Sequence, residues 1–262
     1  GYWRGTDERG WNVLMKVLEL GLRSQRLGLD EGEHNDWRVR NEVQAWPCTS
    51  TGLLLCDVWD CHWSRGATER VDGMVPRMNR VVKKARSLGV QIIHAPSDSM
   101  EFYADTEARQ RILGVPVIDP PPDLEHDDPP QPVDSSDGGS DTREPDWHKA
   151  WMRQHPGIEI DYSRDVISDN GREVFSFMTS RKIDRLLIMG VHTNMCVLGR
   201  SFAIKQMVRW GKRVALVRDL TDAMYNPAKP PYVGHWEGTR LIVEFIEKFW
   251  CPTVLSEDIL NS

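Results

Sequence analysis

The chain reads as an α/β protein: a three-layer, doubly wound, mostly parallel sheet with helices on both faces. Three observations predict this. First, short runs are apolar throughout rather than at alternate positions, as strands covered on both faces require: "GLLLCD" (52–57), "VQIIHA" (90–95), "RLLIMGV" (185–191) and "RVALVRD" (213–219). Second, the segments between them carry apolar residues at helical spacing. Third, the two kinds alternate along the chain, the order that builds parallel sheets through crossover helices.

Taken in order, residues 1–50 predict an N-terminal extension packed on a main domain of residues 51–262. Within it, "WNVLMKVLEL" suits a short helix or a strand, and "DWRVRNEVQAW" alternates like an exposed strand. After the first apolar run, "MVPRMNRVVKKARSLGV" places Met74, Met78, Val81, Val82 and Ala85 on one helical face, with Gly89 as its stop. "EFYADTEARQRILG" predicts another helix. Residues 115–146 hold eight of the sixteen prolines, which excludes regular structure and predicts a long loop insertion. Helices are then expected at "NGREVFSFMTSRKID", at "VLGRSFAIKQMVRWG" ending on Gly211, and at "GTRLIVEFIEKFW". "PTVLSEDIL" predicts a short last strand.

The net charge of −6 averages two unlike parts: the 115–146 loop has ten acidic residues and one basic one, and the rest has 29 acidic against 32 basic residues. No basic stripe interleaved with aromatics appears, so no nucleic-acid partner is expected, and the acidic loop disfavours a polyanionic substrate. No apolar run approaches the ~18–20 residues of a membrane span, and no signal-peptide pattern opens the chain. The cysteines Cys48, Cys56, Cys61, Cys196 and Cys251 are odd in number and scattered, which suits a reducing, cytoplasmic setting. Neither a GxGxxG nor a P-loop pattern occurs, so no cofactor is expected.

In sheets of this kind, sites gather past the carboxyl ends of the strands. Asp57, His94, Asp98, the Gly190–Cys196 turn and Asp219 all fall there. Cys196 stands where strand becomes helix, a position whose N–H groups and dipole favour a thiolate and could receive an oxyanion. Asp57, closing the first core strand, is placed to act as its base. The alternative for Cys196 is a buried structural thiol.

Those residues also resemble a known family. "LLLCDVWD", "LLIMGVHTNMCV" with its G-x-x-T-x-x-C turn, and "VRDLTDAMYNP" followed by "GHWEGTRLIVEFI" are similar to the isochorismatase-like cysteine hydrolases over roughly residues 51–255. The superfamily includes nicotinamidases and N-carbamoyl amide hydrolases. The resemblance implies Cys196 as nucleophile, Asp57 as base, and a cis peptide between Val191 and His192 that sets the His192 N–H beside that of Cys196 in an oxyanion hole. It implies hydrolysis of an amide, imide or carbamoyl C–N bond of a small molecule through a thioester, and a homo-oligomer, dimer or tetramer. Two features depart from the family. Its catalytic lysine falls, by a gapless count back from Gly190, at Ser163; the neighbour is Arg164, which could hold a carboxylate but not shuttle a proton. Arg164 substitutes, or Lys149 folds in, or the protein is a non-hydrolytic binder or scaffold on the same fold. The D-x-H metal pattern of nicotinamidases is replaced by "SDSM" (Asp98, Met100), and Asp146, His148 and His155 are ligand types in another place, so no metal is expected. Trp59, His62, His94 and Asp98 are candidates to line the substrate site; the alternatives are packing for Trp59, a loop polar group for His62 and a satisfied core histidine for His94.

Overall fold

A computed structural model describes residues 2–6, 12–144 and 146–262, with side chains described from residue 15 onward. The strands are β1 (Tyr2–Thr6), β2 (Asn12–Leu29), β3 (Asn35–Pro47), β4 (Thr51–Cys56), β5 (Gln91–Ala95), β6 (Val166–Ile167), β7 (Arg185–Val191), β8 (Arg213–Asp222) and β9 (Thr253–Val254). The helices are α1 (Arg65–Leu88), α2 (Met100–Tyr103), α3 (Glu107–Leu113), α4 (Gly171–Ser180), α5 (Cys196–Gly199), α6 (Ile204–Arg209), α7 (His235–Phe249) and α8 (Ser256–Leu260). One sheet runs β1-β2-β9-β8-β7-β4-β5-β6, with β3 on β2. From β9 to β6 every neighbouring pair is parallel, so the α/β expectation holds.

β4 is buried at all six positions because its alternate side chains enter two different cores. Leu54 and Cys56 join Val174, Phe177, Phe202, Ile242 and Ile246 of the α4–α7 layer. Leu53 and Leu55 join Val75, Met78, Val82 and Ile259 of the α1 and α8 layer. Each fully buried Leu or Phe contributes about 1.5–3 kcal/mol, so a sheet covered twice is the chief store of stability.

Several elements differ from their sequence-based bounds. α1 begins at Arg65, well before Met74, because Ser64 caps it by accepting from Ala67 N and because Ala67, Val71 and Val75 are buried; packing outweighs Gly73 and Pro76. The helix expected from Val197 to Gly211 is broken at Arg200, where ψ turns to 150°. The expected last strand is only Thr253–Val254, and Ser256–Leu260 is helical because the Asp219 carboxylate accepts from Ser256 N and Oγ. Asp219 therefore anchors α8 and is not at the strand-end site. An irregularity in β8 explains the miscount: Ile188 pairs with Leu216 but Gly190 with Thr221, so Asp222 is the acid that ends β8.

The N-terminal segment is an antiparallel β2–β3 ribbon that continues the sheet, pairing with β9 at Arg23 and Thr253. Its inner part buries Leu18, Leu20, Leu22 and Trp46, while residues 30–43 are exposed.

Candidate active site

β4 and β7 are parallel neighbours, with Cys56 beside Gly190, so the residues just past each strand meet at one end of the sheet. Gly190 has φ 125°, and a Cβ there would lie 2.1 Å from the Cys56 carbonyl oxygen; only glycine permits this approach. After β7 the Val191–His192 peptide is cis, and the chain turns through Thr193, Asn194 and Met195 into α5. The turn is held from several sides. Asn194 donates Nδ2–H to Met224 O and accepts from Met224 N, both at 2.8 Å. The Thr193 and Thr221 hydroxyls are 2.6 Å apart. Gln131, from the acidic loop, donates to Asn194 O.

Asp57 comes directly after β4 with φ 48°, and its side chain is wholly buried. Its Oδ1 accepts from Ser97 N at 2.7 Å and its Oδ2 from Arg200 Nε at 3.0 Å. The Cys196 thiol feels the charges of both this carboxylate, which opposes its ionisation, and the Arg200 guanidinium, which favours it. Burial raises the Asp57 pKa above the usual carboxylate value, against the pull of Arg200. Burial, followed by the Asp57 charge, pushes the Cys196 thiol up to about 12. This corrects the expectation of a helix-activated thiolate. α5 lasts only four residues, so little dipole stands behind the sulfur, and a carboxylate lies against it. The pair is a thiol beside a buried carboxyl group.

Cys196 and Arg200 open onto a cavity of about 650 Å³. Trp59, His62, Asp98 and His192 line it. So do two elements of the long loop: Gly138, of the "SSDGGS" turn, and Glu144. Trp151, also in the lining, stacks on Trp59 with centroids 3.8 Å apart, and both indoles donate to Ser97 O. Burial lowers His62 to about 4 and His192 to about 3, so both imidazoles are neutral at physiological pH. Nε2 of His192 has no hydrogen-bond partner among the described residues.

Three sequence expectations are corrected. His94 lies outside the cavity lining: it is fully buried, with Nε2 2.9 Å from Asp165 Oδ2 and Nδ1 against Gln154, in a network that Arg86 completes. Arg164 is a surface residue paired with Asp161 and lines a separate depression beside Gln91 and Arg111. Lys149 is exposed, and its Nζ binds the Asp98 carbonyl rather than Asp57. The residue that does reach Asp57 is Arg200, which the sequence reading missed. Its signal was the spacing, four residues past the cysteine in "CVLGR". Of the ligand types considered for metal, His155 pairs with Asp72 while His148 is exposed beside Asp146.

A thiol, a buried carboxylate and a cation at the carboxyl ends of adjacent parallel strands, opening onto an aromatic-walled cavity, can perform base-assisted attack on a carbonyl. Residues 51–229 match the Isochorismatase domain, and the chain belongs to that family. Among solved structures, a cysteine hydrolase from Pseudomonas syringae pv. phaseolicola 1448A matches with TM-score 0.54 and 16% identity, over 82% of this chain and 92% of its own. An isochorismatase from Pseudomonas putida KT2440 matches with TM-score 0.49 and 12% identity, over 80% of this chain and 90% of its own. At 16% identity the first likeness is one of fold alone. No curated protein matches the sequence. Among the described residues, no helix is long and apolar enough to cross a membrane.

Proposed function

We propose that the protein hydrolyses a C–N bond, of an amide, imide or carbamoyl group, in a small molecule, with Cys196 as nucleophile and Asp57 as base. The observation that carries this reading is the buried Asp57 carboxylate, held by Arg200 Nε at 3.0 Å and acting electrostatically on the Cys196 thiol, which itself opens onto the cavity. Because the thiol is protonated at rest, its proton passes to Asp57 as sulfur attacks the carbonyl carbon. The N–H groups of His192 and Cys196 receive the developing oxyanion. Asp57 then protonates the departing nitrogen, leaving a thioester. Water, deprotonated by Asp57, releases the acid and restores the thiol. Trp59 and Trp151 offer a flat apolar wall to the substrate. A non-hydrolytic role was the alternative because no lysine stood near Ser163; a cation on Asp57 from elsewhere in the chain weakens that alternative.

A reducing cytoplasmic setting and a homo-oligomer belong to the same reading. All five cysteines are free thiols. One face of the β2–β3 ribbon leaves Leu27, Leu29, Val39 and Val43 more than half exposed, which a second copy would cover. The test of the activity is a panel of small amides, imides and carbamoyl compounds scored for ammonia or amine release, with mass spectrometry of the protein during turnover. A substrate-derived acyl mass on the peptide containing Cys196, lost in Cys196→Ala together with activity, is the expected result. Turnover that survives Cys196→Ala sinks the assignment.

A further inference from the structure

We propose that Arg200 is a third catalytic residue, a permanently charged partner of both Asp57 and Cys196, so that Asp57 alone carries every proton of the cycle. The inference rests on the hydrolase reading for its chemistry but on geometry for its residue. Nε of Arg200 is 3.0 Å from Asp57 Oδ2, and Arg200 and Cys196 line the same cavity, where the guanidinium charge favours the thiolate. The side chain is one-third exposed and lines the cavity, so it can meet substrate as well as the base. Nη2 is 3.6 Å from Asp98 Oδ2, which gives the guanidinium a second carboxylate on the outer side.

The local fold explains how an arginine comes to be there. Arg200 ends α5 and leaves helical geometry at ψ 150°, and the chain then packs on the start of α4. Gly171 donates its N–H to Ser201 Oγ, and a Cβ on Gly171 would lie 2.0 Å from Ser201 O. The break between α5 and α6 thus fixes the base of the Arg200 side chain. Other cations near the cavity do not compete: Arg143 lies at its exposed margin, and Lys149 is bound to a carbonyl.

Guanidinium does not give up its proton in the pH range of enzymes, whereas an ammonium does near pH ~10. Arg200 therefore keeps Asp57 ionised and steadies sulfur while it is anionic, but transfers nothing. In acylation the S–H proton goes to Asp57 as the C–S bond forms, and the same proton leaves on the nitrogen as the C–N bond breaks. In deacylation a proton of water goes to Asp57 as the C–O bond forms, then to sulfur as the C–S bond breaks. The balance is amide plus water to acid plus amine, with one carrier throughout.

Three versions of the full chain decide the matter: wild type, Arg200→Met and Arg200→Lys, each checked for a native melting transition. Two profiles are taken against pH, the rate of Cys196 alkylation by iodoacetamide and, for a substrate found in the panel, kcat/KM. Arg200→Met is expected to lower both by roughly 100-fold or more near neutral pH and to move the acid limb of kcat/KM upward, since Asp57 loses the charge that holds it ionised. Arg200→Lys is expected to keep activity within about tenfold and to gain an alkaline fall near pH ~10, where lysine deprotonates and arginine does not. A purely structural arginine would add no such limb. Wild-type profiles in folded Arg200→Met, or an active Arg200→Lys with no alkaline fall, overturn the inference. The alkylation profile needs no turnover, so it separates failure of the Arg200 role from failure of the hydrolase reading. Loss of the Arg200→Met effect on alkylation refutes the former; survival of amide turnover in Cys196→Ala refutes the latter.

Discussion

The side-chain amide of Asn194 meets the backbone of Met224 through two 2.8 Å hydrogen bonds, one donated and one accepted. Both residues are buried, so this clasp joins the turn before Cys196 to the segment after β8. Asn194→Ala leaves the Met224 N–H and C=O unpaired and should cost about 2–4 kcal/mol of stability by denaturant titration. Asn194→Asp keeps an acceptor but loses the donor and should fall between the two. A cost below about 0.5 kcal/mol for Asn194→Ala would show that the clasp is not what fixes the turn.

Cysteine reactivity should follow the electrostatics of the Asp57–Cys196 pair. With the thiol pushed up to about 12, Cys196 should alkylate more slowly than the exposed Cys61 at pH 8, and its rate should still be rising at pH 10. Asp57→Asn removes a charge that opposes the thiolate and should bring that rise to lower pH. The sign for catalysis is opposite. Asp57 must be ionised, and its pKa is raised, so kcat/KM is present above that pKa and is lost as pH falls through it, at a pH higher than the ~4 of a free carboxyl. A plateau in Cys196 alkylation below pH 8.5, read peptide by peptide by mass spectrometry, would contradict this account.

The His94 network should matter to stability and not to chemistry. Burial would raise Asp165, but hydrogen bonds from His94 and Arg86 more than offset it and hold the carboxyl below its usual value. A depressed folded-state pKa gives stability that is present above the unfolded value of ~4 and is lost as pH falls through the folded one. Asp165→Asn removes the buried carboxylate from Arg86, leaving it only Glu159, and should destabilise by about 3 kcal/mol at pH 7, with the difference shrinking toward acid pH. His94→Ala should lower the melting temperature by several degrees and leave kcat/KM within about threefold. A much larger loss of kcat/KM in a folded His94→Ala protein would return that histidine to the substrate site.

The exposed ribbon should govern assembly. Val43 is 79% exposed and Leu27 and Val39 each 54%, on one face of a two-stranded element that is marginal without a partner. Val39→Lys with Val43→Lys should lower the mass measured by light scattering after gel filtration, while each folded protomer keeps its cavity. An unchanged mass would place any self-association elsewhere.

The range of the forces involved decided how much of this molecule was legible in its sequence. β4, β5, β7 and β8 were legible because two-sided burial leaves runs without polar alternation, and Cys196 because strand, turn and helix signals converge on it. Asp222 was hidden by four residues of β8, Val217–Leu220, facing one residue of β7, which no periodicity records. His94 was misplaced because both strand-end sites and core networks use polar residues at that position; only its contacts to Asp165 and Gln154 distinguish them. Arg200 is not legible because the family resemblance points to a cation before the cysteine strand, whereas the fold supplies one after Cys196. Trp151 sits far from Trp59 in sequence, and its stacking is a tertiary fact.

Cys196 and Arg200 lie on one turn of chain, so sulfur and its counter-ion travel together whenever that turn shifts. Asp57 belongs to a different strand, and the separation free to drift is the one across β4 and β7. Gly190 guards that separation, since a methyl group there would collide with the Cys56 carbonyl. Sequence drift in this protein therefore has two distinct ways to silence the site: changes in the turn remove charge, while changes in the sheet leave every charged group present and put the proton out of reach.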